Sequence, residues 1–227
     1  MKTQWFGKKI LCIGDSLTEA GIWPKQVKKN LGCEIITHCK GGLGMIEILD
    51  GGESPVGKLN PLSVEQVKGV DLLIFFAGYN DRGIPDGKLD DCYDSLVKKE
   101  DRTVAGSLQF CIQRLYQLLK EANNVQCKLL IVTPHCVGKY SYIEVDGYHE
   151  YPEGSKQTVQ TLAKTMERVA RHNNIACCNL WEKSGINRFT WGVYSASPAA
   201  DEVHCSSKGY QLIGDVITGA IISNYGI

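Results

Sequence analysis

The stretch LCIGDSLT, residues 11–18, starts as an apolar run and then turns at a glycine that is followed by aspartate and serine. The run belongs to a segment of strand length, and its continuous apolar character is typical of a strand buried on both faces of a parallel sheet. Gly14 permits a tight turn at the carboxyl end of that strand, and a helix is expected to follow. The stretch therefore predicts a strand–turn–helix unit that presents the hydroxyl of Ser16 at the edge of a sheet.

Apolar runs of strand length recur along the chain, and segments with apolar residues at helical spacing separate them. The helical segments start near Thr103 and Ser155, a further one ends the chain, and Thr18–Leu31 is a fourth in which Pro24 marks either a break or a start. Strands that alternate with helices predict right-handed crossovers and a parallel sheet covered on both faces. We therefore predict a three-layer α/β/α sandwich, with residues 1–227 as one domain. Its five strands are expected at residues 9–13, 34–38, 71–77, 128–133 and 175–180.

Composition narrows the classes of function. The chain of 227 residues is 43% hydrophobic and carries 25 basic and 25 acidic residues, so it has no basic footprint for nucleic acid. No apolar stretch approaches the roughly 18 residues that span a bilayer. The ten cysteines contain no C-x-x-C pair, which favours buried thiols in a reducing compartment over disulfides or a zinc site. We expect a cytoplasmic protein without signal peptide, metal or other cofactor, and without nucleic acid or membrane partners; the oligomeric state stays open.

Ser16 has two interpretations when it is taken alone. A serine at the start of a helix commonly caps the helix, and it becomes a nucleophile only where a base can reach it. The segment DEVH, residues 201–204, offers such a base just ahead of the last helix. Asp201 could hold the imidazole of His204 in one tautomer and leave its other ring nitrogen to take the proton of Ser16. The alternative is a surface Asp–His pair in a loop.

Two further segments follow predicted strands and carry groups suited to an oxyanion hole. Asn80, in the segment AGYND after the third strand, can point its amide N–H at a developing oxyanion, or it can be a simple turn residue. The segment KGGLGM, residues 40–45, follows the second strand, and its glycines let a backbone N–H approach a substrate. As a dinucleotide-binding fingerprint this segment fails, because no third glycine stands at the required spacing.

Together these segments resemble the blocks of the SGNH or GDSL hydrolase family, in which Ser, Gly, Asn and His stand in four separate blocks. GDSL at residues 14–17 matches the first block, Gly78-x-Asn80-Asp81 the third, and Asp201-x-x-His204 the fifth. The second block matches less closely: Gly42 is in the best register, Gly41 and Gly44 are possible, and the usual upstream Asn is absent. The order of the blocks covers nearly the whole chain, and the resemblance implies a flavodoxin-like SGNH hydrolase fold.

The resemblance also implies a role for each residue of these blocks. Ser16 would be the nucleophile, and its backbone N–H would form the oxyanion hole with the N–H of Gly42 and the side chain of Asn80. His204 would act as general base and then as general acid, oriented by Asp201. The nucleophile elbow of α/β-hydrolases is excluded, because G-x-S-x-G would need a glycine where this chain has Thr18.

Other residues are candidates for contact with the substrate. Asp15 is expected mainly to shape the turn, and with Tyr79 and His135 it is a candidate substrate contact. The segments 82–101 and 134–154 lack a clean period and are long for loops, which is typical of segments that select a substrate.

The function that this pattern favours is a metal-free serine esterase. It would cleave a small carboxylic ester, such as an acetyl group on carbohydrate, through an acyl-enzyme. A lysophospholipase or thioesterase is the enzymatic alternative and would need a long apolar groove. A non-catalytic glycan-binding module on the same fold is the alternative from another class. It would be expected to have lost catalytic groups, whereas this chain retains all of them.

Overall fold

A five-stranded parallel sheet forms the centre of the structure, a computed structural model that describes residues 3–137, 159–197 and 201–226, without the side chains at 201 and 202. The order of its strands is β2-β1-β5-β6-β7, and every neighbouring pair is parallel. This is the flavodoxin-like order, so the predicted fold class is confirmed. The described strands are β1 (Lys9–Gly14), β2 (Glu34–Cys39), β3 (Gly52–Ser54), β4 (Gly57–Leu59), β5 (Leu72–Phe76), β6 (Lys128–Val132), β7 (Ala176–Cys178), β8 (Ser195–Ser197) and β9 (Asp201–Cys205).

Helices cover both faces of this sheet, as the alternation of strands and helices predicted. Alternate strand residues point to opposite faces: Leu73 and Phe75 join one apolar core, whereas Ile74 and Phe76 join the other. The first core is closed by α3, α4, α5 and α6, and the second mainly by α2 and α9. The described helices are α1 (Ser16–Glu19), α2 (Ile22–Leu31), α3 (Met45–Asp50), α4 (Val64–Val67), α5 (Val104–Glu121), α6 (Val159–His172), α7 (Leu180–Lys183), α8 (Trp191–Tyr194) and α9 (Ser207–Tyr225), with 3-10 turns at Tyr79–Asp81 and Lys99–Asp101.

Two of the predicted helix boundaries can be compared with the structure. The segment expected to be helical over residues 18–31 is broken at Gly21, whose φ of 71° is left-handed, and not at Pro24. Pro24 lies in the first turn of α2, where its missing N–H has no intrahelical acceptor to lose. The helix α5 begins beside Thr103, as expected, and Oγ1 of Thr103 caps it by accepting from the backbone N–H of Gly106 at 3.1 Å. Ser155, near which another helix was expected to start, lies outside the described residues.

The topology gathers several chain segments at one edge of the sheet. The chain passes from β1 to β2 on one side and later returns to β5 on the other side of β1, so the carboxyl end of β1 is the topological switch point. Ser16 follows that end directly. The hairpin β3–β4 and the antiparallel pair β8–β9 are additions to the parallel sheet.

Two further expectations concern thiols and membranes. The ten cysteines are free thiols and most of them are buried, in agreement with the dispersed pattern of the sequence. In the part of the chain that the structure describes, no helix combines the length and the apolar character needed to cross a bilayer.

Candidate active site

In the turn after β1, the residue that caps the following helix is not Ser16. Asp15 is the N-cap of α1, and its Oδ1 accepts from the backbone N–H of Leu17 at 3.0 Å. Gly14 is required at this turn, because a Cβ there would collide with the backbone oxygen of Phe76 and the side chain of Thr18. Since the cap is provided by Asp15, the hydroxyl of Ser16 is left to face the edge of the sheet, where its side chain is half-buried.

A histidine lies directly against this hydroxyl. Nε2 of His204, on β9, is 2.9 Å from Oγ of Ser16, so the hydroxyl can donate to the ring nitrogen. The distance is that of a nucleophile and a base in hydrogen-bond reach of each other. Asp201 begins the same strand, where its backbone pairs with Ser197. Its side chain lies outside the described residues, and its contact with His204 remains a prediction.

The glycine-rich loop after β2 is held by a charged pair. The backbone N–H of Gly41 donates to Oε2 of Glu19 at 2.7 Å, and Nζ of Lys40 donates to Oε1 of the same carboxylate at 2.7 Å. Gly44 is buried, and a Cβ on it would meet carboxylate oxygens of Glu47 and Asp81. Gly42 is exposed and has a φ of 80°, a conformation that favours glycine.

Asn80 adjoins this loop from the other side of β1. It lies in the 3-10 turn that follows β5, and its Nδ2 donates to the backbone oxygen of Leu43 at 3.0 Å. Nζ of Lys99 donates to the backbone oxygen of Asn80. An amide nitrogen carries two N–H groups, so Asn80 can hold the loop with one and address a substrate with the other.

Two carboxyl groups are fully buried beneath these segments. Oδ2 of Asp81 accepts from the backbone N–H of Met45 at 2.9 Å, which ties the turn after β5 to the start of α3. Burial raises the pKa of Asp15 to about 7, and the nearby charge of Asp81 adds to the shift. Burial also raises the pKa of Asp81 to about 6, opposed by the positive charges of Lys99 and Arg102. The floor of the site therefore disfavours the charged form of both carboxyl groups relative to their ordinary state in water.

The raised pKa of Asp15 predicts a pH-dependent stability. The folded pKa of about 7 lies above the ordinary value of 3.8, so this group stabilises the fold fully below about pH 4 and that contribution is lost as the pH rises through 7. In Asp15→Asn the side chain keeps an acceptor for Leu17 and cannot ionise. The difference in free energy of unfolding between Asp15→Asn and the wild type should therefore rise, in favour of the variant, by about 2–3 kcal/mol between pH 5 and pH 8.5. Urea unfolding at both pH values measures this gain, with the exposed Asp90→Asn as control; a difference that does not change with pH would contradict it.

The three candidate substrate contacts named beside the motifs are buried. Asp15 and His135 are fully buried, and Tyr79 is nearly so, with the guanidinium of Arg82 over its ring. A side chain without an accessible face cannot touch a substrate bound at the edge of the sheet. Direct contact of these three residues with the substrate is therefore not supported. They form part of the floor of the site instead.

The contacts of His135 indicate what it does in that floor. Its Nδ1 is 2.6 Å from the backbone oxygen of Cys136, which can only accept, so Nδ1 carries the proton. Its Nε2 then accepts from the thiol of Cys205 at 3.6 Å, directly beside His204. Burial lowers the pKa of His135 to about 4, and the ring of His204 contributes to the lowering. His135 thus connects the end of β6 to β9 as a neutral group.

Several supporting residues carry no signal in the sequence. Arg102, which is only 4% exposed, donates from Nη1 to Oε1 of Glu47 at 2.6 Å and from Nε to the backbone oxygen of Val97 at 2.7 Å. Together with Lys99, it connects the segment after β5 to α3 and to the turn of Asn80. Among the described residues, no three His, Cys, Asp or Glu side chains are placed to hold a metal ion.

A serine hydroxyl within hydrogen-bond reach of an imidazole at the carboxyl edge of a doubly wound α/β sheet is an arrangement typical of hydrolases that use a serine nucleophile. The model of the GDSL-like lipase/acylhydrolase family matches residues 12–212, and the chain belongs to this family. No curated protein sequence matches the chain significantly.

Solved structures share the fold over nearly the full chain. A protein from Lactobacillus plantarum has a TM-score of 0.69 at 15% identity, with 97% of this chain and 99% of that chain covered. An SGNH hydrolase, so described, from Slackia heliotrinireducens has a TM-score of 0.54 at 18% identity, covering 95% and 99%. An acetylxylan esterase from Geobacillus stearothermophilus has a TM-score of 0.52 at 16% identity, covering 95% and 94%. At these identities the likeness establishes the fold.

Proposed function

We propose that the protein is a serine esterase that hydrolyses small carboxylic esters through an acyl-enzyme. The observation that carries the proposal is the distance of 2.9 Å between Nε2 of His204 and Oγ of Ser16 at the switch point of the sheet. The glycine loop and Asn80, which flank this pair, supply the backbone and amide donors that acyl transfer requires.

The reaction follows from these positions. Oγ of Ser16 attacks the ester carbonyl while its proton passes to Nε2 of His204. The tetrahedral intermediate places its oxyanion among the N–H groups of Ser16, Gly42 and Asn80, and its collapse releases the alcohol, which takes the proton from His204. Water then attacks the acyl-enzyme and gives its proton to His204. The bond between the acyl carbon and Oγ of Ser16 breaks, His204 returns the proton to Oγ, and the carboxylic acid leaves. Asp201 holds the other ring nitrogen throughout.

Gly42 is the glycine that we assign to the oxyanion hole. The N–H of Gly41 is already bound to the carboxylate of Glu19, and Gly44 is buried against Glu47 and Asp81. Gly42 is exposed between them, with a backbone conformation that only glycine adopts readily. These contacts support the assignment that the register of the second block suggested.

The substrate that we propose is an acetyl ester of a carbohydrate. One structure with the same fold is an acetylxylan esterase, and its substrate is carried over to this chain as part of the proposal only. We expect the purified protein to hydrolyse p-nitrophenyl acetate about tenfold faster, in kcat/KM, than p-nitrophenyl octanoate, and to release acetate from acetylated xylan.

The test of this proposal compares p-nitrophenyl acetate, butyrate and octanoate with acetylated xylan and lysophosphatidylcholine. A preference for octanoate and lysophosphatidylcholine would replace the acetyl esterase by a lysophospholipase. If no ester is hydrolysed faster by the wild type than by Ser16→Ala, the esterase proposal is wrong and a binding module on the same fold becomes the better account.

A further inference from the structure

The hairpin β3–β4 contacts the glycine-rich loop that follows β2, residues 40–45. Oγ of Ser54 donates to the backbone oxygen of Gly41 at 2.7 Å and accepts from the backbone N–H of Val56 at 3.3 Å. One hydroxyl thus joins the tip of the hairpin to the residue beside Gly42. The hairpin is therefore fixed to the loop that borders the oxyanion hole.

The apolar side chain at the tip of this hairpin lies close to the nucleophile. The position that a Cβ on Gly41 would occupy is 3.3 Å from Cγ2 of Val56 and 3.3 Å from Cβ of Ser16. The side chain of Val56 is nevertheless 62% exposed. A single exposed valine is ordinary on a protein surface, but here one of its methyl groups and Cβ of Ser16 lie against the same side of Gly41.

The position of Val56 is supported on both sides of the tip. A Cβ on the next residue, Gly57, whose φ is 128°, would lie 3.2 Å from Cε of Lys40, whose ammonium group is paired with Glu19. At the base of the hairpin, a Cβ on Gly52 would meet the side chains of Glu47 and Leu43. Together with the hydrogen bonds of Ser54, this close approach places the tip against the loop of the site, and a surface that selects a substrate needs such support.

The sheet order places Val56 and His204 on opposite sides of Ser16. The hairpin rests on the loop after β2, which lies on one side of β1. His204 is adjacent to Cys205, which contacts His135 at the end of β6, on the other side of β1. Because the leaving alcohol receives its proton from His204, the alcohol departs on the β6 side. The oxyanion faces the donors of Gly42 and Asn80, and the acyl group is the remaining substituent. In the proposed reaction it is placed beside the oxyanion on the β2 side, where Val56 lies.

We infer that Val56 is a specificity-determining residue that binds the acyl chain of the ester, and that its apolar surface favours butyryl over acetyl groups. The inference rests on the proposed function, because it needs an acyl group on Ser16. Apolar surface removed from water on both the acyl chain and the valine supplies the selectivity. Because the valine is largely exposed, it acts as a contact surface and not as a stop that excludes longer chains.

The test is the ratio of kcat/KM for p-nitrophenyl butyrate to that for p-nitrophenyl acetate. Val56→Ala removes the contact, and Val56→Thr keeps its shape while making it polar; both are expected to lower the ratio about threefold to tenfold. The matched control is Val125→Ala: Val125 is 63% exposed and precedes β6 at the opposite edge of the sheet. This control should leave the ratio unchanged. A second series, with acetyl fixed and the alcohol varied, should respond equally in wild type and variants.

Each outcome of this experiment decides one of the two claims. An active wild type whose ratio is unchanged or increased in Val56→Ala overturns the inference about Val56 and leaves the esterase proposal standing. A variant effect that follows the alcohol and not the acyl group also overturns it. Absence of any hydrolysis that depends on Ser16 overturns the esterase proposal itself, and the inference with it.

Discussion

Replacement of Ser16 by alanine is expected to lower kcat/KM for p-nitrophenyl acetate by about four to six orders of magnitude, to the background rate. The hydroxyl removed is the one that lies 2.9 Å from Nε2 of His204, and no covalent intermediate can form without it. The fold should persist, because Asp15 caps α1 and Ser16 does not. The esterase assay and a thermal unfolding curve on the same preparation measure both effects.

The control for this substitution is Ser223→Ala. Ser223 is exposed near the end of α9, where its hydroxyl donates to the backbone oxygen of Ala220. This variant should keep wild-type activity. If Ser16→Ala retained more than about a tenth of the wild-type rate with an unchanged unfolding midpoint, Ser16 could not be the nucleophile.

Replacement of Asn80 by alanine is expected to lower kcat about 100- to 1000-fold, with little change in KM. The amide donor acts on charge that develops only in the transition state, so its loss reduces kcat more than it weakens binding of the substrate. Steady-state kinetics with p-nitrophenyl acetate separates the two parameters, and the exposed Asn60→Ala serves as control.

The same substitution also removes the hydrogen bond from Nδ2 of Asn80 to the backbone oxygen of Leu43. Asn80→Asp helps to separate the two roles, because the carboxylate has the shape of the amide but only accepts. It should be at least as inactive as Asn80→Ala, since its charge opposes the oxyanion. A higher KM with an unchanged kcat in both variants would contradict a place for Asn80 in the oxyanion hole.

The central fold could be predicted because its strands are locally distinctive. Several of the five runs are continuously apolar, and the segments between them have a helical period, so the layers follow from local pattern. The hairpin β3–β4 and the pair β8–β9 could not be predicted in the same way. Each of three of their strands has only three residues, and the contacts that fix the hairpin, such as Ser54 to Gly41, are made across the fold.

In the site, too, the residues that stand in local motifs could be predicted, whereas burial and contacts across the fold could not. Ser16, Asn80 and His204 could be recognised because each stands in a short motif, and the parallel sheet brings the first two motifs to one edge. Sequence pattern gives no measure of depth, so it did not reveal that Asp15, Tyr79 and His135 are buried. Two hydrogen bonds of the site join residues about 20 positions apart, and no spacing in the sequence signals either contact. They link Glu19 to Gly41 and Lys99 to Asn80.

The most direct test of the account is covalent labelling by a fluorophosphonate, followed by mass spectrometry of the digested protein. The reagent reacts with a serine only where a base activates the hydroxyl and donors stabilise the phosphorus oxygen. The predicted result is one equivalent of label on Ser16, with none on Ser16→Ala and much slower labelling of His204→Ala. Label on another residue, or equal labelling of the wild type and Ser16→Ala, would contradict the assignment of Ser16 as the nucleophile.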